Sequence, residues 1–574
     1  MSKSKKRLLI ISGIVLAIVV GVVLTFNAIV AGIISKKVDN YLATHPVKNY
    51  TISYGRVGFN IAGKSARLVN VTLSPKQSYI DSLTSTGYGF LVPDVTIGKL
   101  IVSGVDYSNI LKGKNINIGK IRIRKLNVTL RKIIGKKTKP NKKNEKKTLI
   151  PETVTVRGIN SLWIHSFILD KSKVELIDQA TGDVIAGSQN IELDLRDFRL
   201  LPLKGDSSKF KPDCKEAILT LEKNLFYTPD KLYEIDLGVV AASLKNKKVV
   251  ITNFKYKPLY SKKAFSKHLK YQQERYDIKV GSIEFYLPDI KSLINNQTIL
   301  VSNVTVNKAK IGIYRDKLIP FPHFKRPLLP HQALKRMNMV LKIDTVKIKN
   351  SEFAYEELTG RNEKPLYVNF KKLSAEITNI SNAKHRKYSQ SKMKAVLKGR
   401  LMGKAPFDMN LVFPMAARND TMFFSGTIYG KVPFSTFNKA SFPAAGISFR
   451  DGTLNKLSFK GSANPRFSRG TLTMLYSNVK LDIVKKGKQK SSKFLSWGAT
   501  TVIRKNNPVN SKPPKTALMS FTRDMEKGFG NFLWKTVFSG IKSTLIGGGN
   551  NNSNRGTKKE KKASKKRKRK KHSK

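Results

Sequence analysis

The chain is poor in several things, and each shortage removes a class of function. Among 574 residues there is one cysteine, Cys214, which excludes a disulfide framework and a Cys-rich zinc site. Seven histidines (His45, His165, His268, His323, His331, His385, His572) are scattered, with no H-x-x-x-H interval that would bring two rings onto one metal. The Gly-Lys pairs at 98–99 and 119–120 lack the surrounding Gly and Ser/Thr of a phosphate-binding loop. There is no dinucleotide fingerprint and no G-x-S-x-G nucleophile elbow. No enzyme is expected: no catalytic residues, no metal and no cofactor. Acidic side chains are also scarce, 38 Asp plus Glu against 108 Lys plus Arg, for a net charge of +70.

Charge itself is missing from Leu8 to Ile34, 27 residues framed by MSKSKKR and SKK. At about 1.5 Å per residue they make roughly 40 Å of helix, enough to cross a hydrocarbon core near 30 Å. The stretch is too long for a cleaved signal, whose apolar core runs about 7–15 residues. It reads as a single-pass anchor behind a basic cytoplasmic start, residues 1–7. Lys3, Lys5, Lys6 and Arg7 outweigh Lys36, Lys37 and Lys48, so the body is expected on the exported side.

With 40% hydrophobic residues, 29 Phe and 19 Tyr, disorder throughout is excluded. Apolar residues alternate with period two almost everywhere after the anchor, the signature of strands. The pattern apolar-x-apolar-x-x-apolar-x-apolar recurs at 52–59, 116–123, 278–285, 304–311, 341–348 and 368–375. Chance would supply about two such matches. A longer unit aligns Leu162, Ile164, Phe167, Leu169, Ser172, Val174 and Leu176 with Ile299, Val301, Val304, Val306, Ala309, Ile311 and Ile313. The same unit returns as Leu341, Ile343, Val346, Ile348, Ser351, Phe353 and Tyr355. The pairs Asp170-Lys171, Asn307-Lys308 and Lys349-Asn350 suit tight hairpin turns, and Gly98, Gly119 and Gly281 suit left-handed bulge positions.

Stacked repeats of one unit predict a mainly β chain: an elongated, curved antiparallel sheet or groove with a few short helices. A row of separate sandwiches is the alternative. The regions are a first β-repeat region at 35–130, a basic loop at 131–150, the groove at 151–516, a C-terminal amphipathic helix region at 517–546, and a Gly/Asn linker with a disordered Lys/Arg tail at 547–574. Pro258–Gln273 suits a short basic surface helix. Phe529, Leu533, Trp534, Val537, Phe538, Ile541 and Leu545 form one helical face that caps the groove or lies in a membrane interface.

The tail from Arg555 to Lys574 holds 13 basic residues and Glu560. Lys565, Lys566, Arg567, Lys568, Arg569, Lys570 and Lys571 are candidates for gripping an anionic surface. Nucleic acid is not the expected partner, because no aromatic residues interleave the tail for base stacking.

Several segments, IDTVKIKNSEFAYEE (343–357), VNFKKLSAEITNIS (368–381), ALMSFTRDMEKGF (517–529) and FLWKTVFSGIK (532–542), together with the basic start, the anchor and the repeats, resemble the AsmA-like envelope proteins, particularly a branch found in Bacteroidota. The resemblance runs to about residue 546; the Lys/Arg tail departs from it. It implies a bacterial inner-membrane anchor, a periplasmic repeating β-groove, and a part in outer-membrane biogenesis and phospholipid movement, with no catalytic residues to carry over.

The expected function is binding or conveying phospholipid or another anionic envelope lipid along the apolar face, with envelope proteins as further partners. Candidate lining residues are Leu162, Ile164, Phe167, Leu169, Ile299, Val301, Val304, Val306, Ile343, Val346, Ile348 and Phe353. One alternative is an envelope assembly factor with a closed β core. Another is a cytoplasmic-facing membrane protein whose tail binds nucleic acid.

Overall fold

The computed structural model describes residues 49–60, 64–86, 89–105, 115–133, 154–155, 160–203, 206–288, 298–360, 365–383, 392–417, 419–483, 502–510 and 512–547. The uncharged stretch 8–34, the basic residues 134–150 and the tail lie outside them. Among the described residues no helix is long and apolar enough to cross a membrane.

The strands are β1 (Tyr50–Ser53), β2 (Arg56–Asn60), β3 (Ser65–Pro75), β4 (Phe90–Val105), β5 (Asn115–Ile133), β6 (Val154–Thr155), β7 (Ser161–Asp178), β8 (Val184–Leu203) and β9 (Asp206–Asp213). The middle of the chain forms β10 (Glu216–Tyr227), β11 (Tyr233–Asp236), β12 (Val239–Ser243), β13 (Lys248–Pro258), β14 (Glu274–Tyr286), β15 (Thr298–Asp316), β16 (Val340–Leu358) and β17 (Leu366–Ser381). The C-terminal part adds β18 (Lys392–Leu401), β19 (Ala405–Pro414), β20 (Met422–Pro433), β21 (Ile447–Ala463), β22 (Phe467–Ile483) and β24 (Thr516–Thr522), with a separate pair, β23 (Val502–Ile503) and β25 (Ile546–Gly547). Among the described residues five α-helices and a short 3₁₀ helix (Phe434–Phe437) punctuate them: α1 (Gln77–Ser85), α2 (Lys262–Lys267), α3 (Pro330–Lys335), α4 (Asn438–Ala445) and α5 (Phe529–Leu545). The basic helix expected within 258–273 is α2, capped by Ser261 Oγ accepting from the Ala264 amide.

One sheet of 23 strands takes in everything but the small pair. Its ladder follows the chain: β1 and β2 share one edge of β3, then come β4, β5, β7, β8 and β10, next β11 and β12 side by side, then β13 through β22 in order, and β24 at the far edge. Eighteen inter-strand steps at about 4.8 Å give a ladder roughly 86 Å long. The expectation of an antiparallel sheet needs correction, because the sheet is mixed. β5 pairs with β7, and β15 with β16, in parallel. A parallel neighbour cannot be reached by a tight turn, so a crossover follows, as residues 317–339 do between β15 and β16.

The expected hairpin turns are also corrected. Lys171, Lys308 and Asn350 sit inside the continuous strands β7, β15 and β16, with φ of 50°, 55° and 50°. Each left-handed residue adds a bulge that restores the apolar face after a break in alternation, which a strict period of two would lose. In β5 Lys125, with φ of 56°, does this between Ile123 and Leu126, and Ile121, Ile123, Leu126 and Val128 stay buried on either side of it.

Gly98, Gly119 and Gly281 are not the left-handed residues; Gly119 lies against Gly104, which is (φ 65°). Gly98 and Gly281 likewise sit opposite left-handed lysines: a Cβ on Gly98 would meet Lys125 Cβ at 3.1 Å, and one on Gly281 would meet Lys308 Cβ at 3.1 Å. Their lack of a side chain lets the bulged neighbour approach.

At each parallel junction a buried serine takes up the amide that the bulge leaves over. Leu126 N donates to Ser172 Oγ (3.2 Å), and Ala309 N to Ser351 Oγ (3.1 Å). The segments β4–β5–β7–β8 and β14–β15–β16–β17 are therefore two copies of one design.

Candidate functional site

Residues directly opposite in a ladder project from the same face, so the register traces what that face carries across the sheet. One row crosses every step from edge to edge. It begins Val57, Leu68, Leu100, Ile123, Leu169, Leu193 and Leu219. It continues through Ala242, Val249, Phe285, Val304, Val346 and Ile377. It ends Ala395, Leu411, Phe424, Gly461, Gly470 and Met519. All nineteen members are apolar or glycine.

A second row lies beside it: Leu221, Val240, Ile251, Ile283, Val306, Ile348, Ala375, Leu397, Met409, Gly426, Phe459, Leu472 and Ala517. The opposite face differs. Its row through the middle reads Glu284, Thr305, Lys347, Glu376, Val396, Asn410, Ser425, Lys460 and Thr471. The sheet thus carries a continuous apolar track on one side and a mostly polar surface on the other.

The track is covered unequally. At its N-terminal part Ile121, Ile123, Leu169 and their neighbours are buried, with Leu200 and Phe210 of β8 and β9 in the same cluster. At its C-terminal end α5 lies over β22 and β24. Phe532, Thr536, Gly540 and Thr544 form the buried stripe of that helix, and a Cβ on Gly540 would meet Met519 Cγ at 2.7 Å. Of the face expected from sequence, Phe529, Leu533, Val537, Ile541 and Leu545 flank the stripe, while Trp534 points outward and stacks on Phe538 (5.5 Å). Between these ends Leu193, Leu219, Ala242, Val249, Phe285, Val346 and Ile377 are half-buried while Val304 is buried (6% exposed), and at the outer edge Val57 and Leu68 are half-buried as well.

The candidate lining residues fall into two separate clusters. Leu162, Ile164, Phe167 and Leu169 belong to the closed N-terminal core, 1–4% exposed. Ile299, Val301, Val304, Val306, Ile343 and Val346 meet in the half-open middle with Val249, Ile283 and Phe285. Ile348 and Phe353 are half-buried on β16, and Phe353 packs against Phe370 (6.0 Å), which meets Phe407 (5.3 Å). The candidate tail residues 565–571 lie outside the described residues. Sequence reasoning missed Leu219, Ala242 and Val249, and the whole stretch from Ala395 to Met519. Their alternation was visible, but their place in one row depends on register between distant strands.

At the start of β14 and the ends of β15 and β16, ten or eleven residues along each strand from Phe285, Val304 and Val346, carboxylates are consumed by local pairing. Arg315 meets Glu274 (3.1 Å), Lys317 meets Glu357 (2.6 Å) and Lys262 meets Glu356 (2.6 Å). Burial, and then the Glu357 carboxylate that accepts its hydroxyl, raise the pKa of Tyr355. Tyr233, stacked on Tyr256 at 4.4 Å, is pushed up to about 12 chiefly by burial. Among the described residues no three metal-capable side chains converge.

The crossover 317–339 is tied down at both ends. Gln272, 7% exposed, donates its side-chain amide to Lys317 O (3.2 Å) and Ile319 O (2.8 Å). Arg523, 5% exposed, donates to Pro327 O, Pro465 O and Lys527 O, stitching the crossover to the loop before α5. Farther along, His331 of α3 is fully buried, with Nε2 3.0 Å from Asp420 O. Burial lowers the His331 pKa. Burial alone would raise Asp420, but hydrogen bonds from Lys335 and Gln332 outweigh it and hold the carboxyl below its usual value. No protein-family model and no curated protein matches this chain.

Proposed function

We propose that this chain is a lipid-handling protein of the AsmA-like kind, holding the acyl chains of phospholipid or another anionic envelope lipid along its apolar track. In this reading Leu8–Ile34 anchors it in a bacterial inner membrane, the body stands in the periplasm, and the basic tail meets an anionic surface. The observation that supports it is the unbroken apolar row, which runs along the long axis of the sheet and loses its cover in the middle. Burying a Val, Leu or Phe fully is worth about 1.5–3 kcal/mol, and the half-buried side chains forgo part of that. An acyl chain laid along them would recover about 0.8 kcal/mol per buried CH2. The Lys-rich surroundings suit phosphate headgroups.

The test uses neighbouring residues that face opposite ways. A photo-crosslinking amino acid at Phe285 or Val346 should give phospholipid adducts in cells, while the same group at Glu284 or Thr345 should give few. Equal labelling on both faces, or none, defeats the proposal. A second reading, an assembly factor with a closed β core, is favoured by the N-terminal part alone, where Ile121, Ile123 and Leu130 are 1–2% exposed.

A further inference from the structure

The rim at the start of β14 and the ends of β15 and β16 exposes large apolar side chains on a backbone that is firmly held. Leu318 is 66% exposed and Phe324 68%, on the crossover that Gln272 and Arg523 pin. Tyr271, 38% exposed, packs edge-on against Phe324 at 5.3 Å, and Lys270 lies over the Tyr271 ring at 5.6 Å. Exposed apolar groups on a loose loop would need no explanation, whereas a fixed patch of them marks a contact surface.

The charges around the patch are mostly positive, although the Asp316 carboxylate accepts the Leu318 amide at 2.8 Å. The nearby acids Glu274, Glu356 and Glu357 are paired with Arg315, Lys262 and Lys317, and Glu526 is paired with Arg326. Lys263, Lys267, Lys270 and Lys325 are exposed and have no ion pair among the described residues.

We propose that this rim, residues 259–273 with 317–326, docks on an anionic phospholipid bilayer, with Leu318 and Phe324 entering the interface and the four free lysines meeting the headgroups. Aromatic and aliphatic side chains ringed by lysine suit a lipid interface. They suit a protein partner poorly, since lysine is depleted from protein–protein interfaces. The inference extends the lipid-handling reading but does not need it, because the rim can bind a surface whether or not the track holds lipid.

The test reads the rim locally, since residues 8–34 and the basic tail would hold any vesicle near. Full-length protein carrying Cys214→Ser and either Leu318→Cys or Phe324→Cys is labelled with an environment-sensitive fluorophore. It is reconstituted in vesicles of phosphatidylcholine alone, or with about one-third phosphatidylglycerol, each containing a spin-labelled lipid. Blue-shifted, lipid-quenched emission is expected at both positions in the anionic vesicles. It should be weak in neutral ones, and a label at Lys245→Cys, at the opposite strand end, should stay unquenched.

Each lysine changes local partitioning by about fivefold near such a surface. Reversing Lys263, Lys267, Lys270 and Lys325 to Glu should therefore abolish the quenching without changing the thermal midpoint. The proposal is overturned if anionic vesicles give no quenching, if both vesicle types quench equally, or if the charge reversal has no effect. Track crosslinking with a silent rim would leave the lipid-handling reading standing and remove only this one.

Discussion

Gly98 facing Lys125, with Ser172 closing the parallel junction, is matched part for part by Gly281 facing Lys308, with Ser351 closing the second. The apolar positions correspond too, Phe167 to Val346 and Leu169 to Ile348. Yet Phe167 and Leu169 are 2% and 4% exposed, whereas Val346 and Ile348 are half-buried. The same local design is closed in one place and only partly closed in the other, where Val301 and Val304 are buried (5% and 6% exposed) but Val346 and Ile348 are not. Pattern and bulge decide which face a strand presents. What buries that face is settled beyond the strand itself: Phe210 of β9 joins the buried cluster of the first module.

That comparison can be broken most forcefully by placing a charge at equivalent sites. Phe167→Asp should cost about 4 kcal/mol or more, since a large buried side chain is lost and a carboxylate is left in an apolar core. Val346→Asp should cost less than about 2 kcal/mol, because water reaches that site. Hydrogen exchange of β7 and β16 reads the two effects separately, and equal losses would erase the distinction between closed and open modules.

The C-terminal cover offers a further contrast. Gly540→Leu would drive a side chain into Met519 and Leu472, at an expected cost of about 1–3 kcal/mol. It should also raise exchange in β24 while leaving the N-terminal module alone.

The shared scaffold should respond alike in both copies. Ser172→Ala and Ser351→Ala each strand a buried amide, at about 1–2 kcal/mol apiece, measured as matched drops in denaturant midpoint. Unequal losses would mean the junctions are less similar than their geometry.

The smallest effect concerns pH. Burial lowers the folded-state pKa of His331, so the folded protein binds fewer protons there than the unfolded chain does. Its contribution is fully present above the unfolded value near 6.5 and falls as pH drops toward the folded value. Exchange in α3 should quicken modestly from pH 7.5 to pH 5.5, after correction for intrinsic rates, and His331→Gln should flatten the change.

Much of the site was legible as parts. Alternation in EAILTLEKNL (216–225) or KVVITNF (248–254) marks strands with one apolar face, and the aligned units containing Ser172 and Ser351 marked a repeat. Their polar pairs looked like turns because Asn and Lys at positive φ serve turns and bulges equally, and local sequence does not separate the two. The parallel pairings were hidden for a similar reason: a strand's pattern is the same whichever way its neighbour runs.

Sequence by itself determined that the body is β, which face of each strand is apolar, and that an uncharged segment and a basic tail lie at the two ends. Those properties follow from side-chain periodicity and charge, which act locally. Only tertiary structure decided that nineteen apolar residues and glycines fall into one row, that the row is buried from Leu100 to Leu169 and again at Ala395, Leu411, Phe424 and Met519 but mostly half-buried between, and that the crossover from β15 to β16 holds Leu318 and Phe324 out to solvent. Register and cover are contacts between residues tens to hundreds of positions apart, such as Arg523 with Pro327, and no local pattern encodes them.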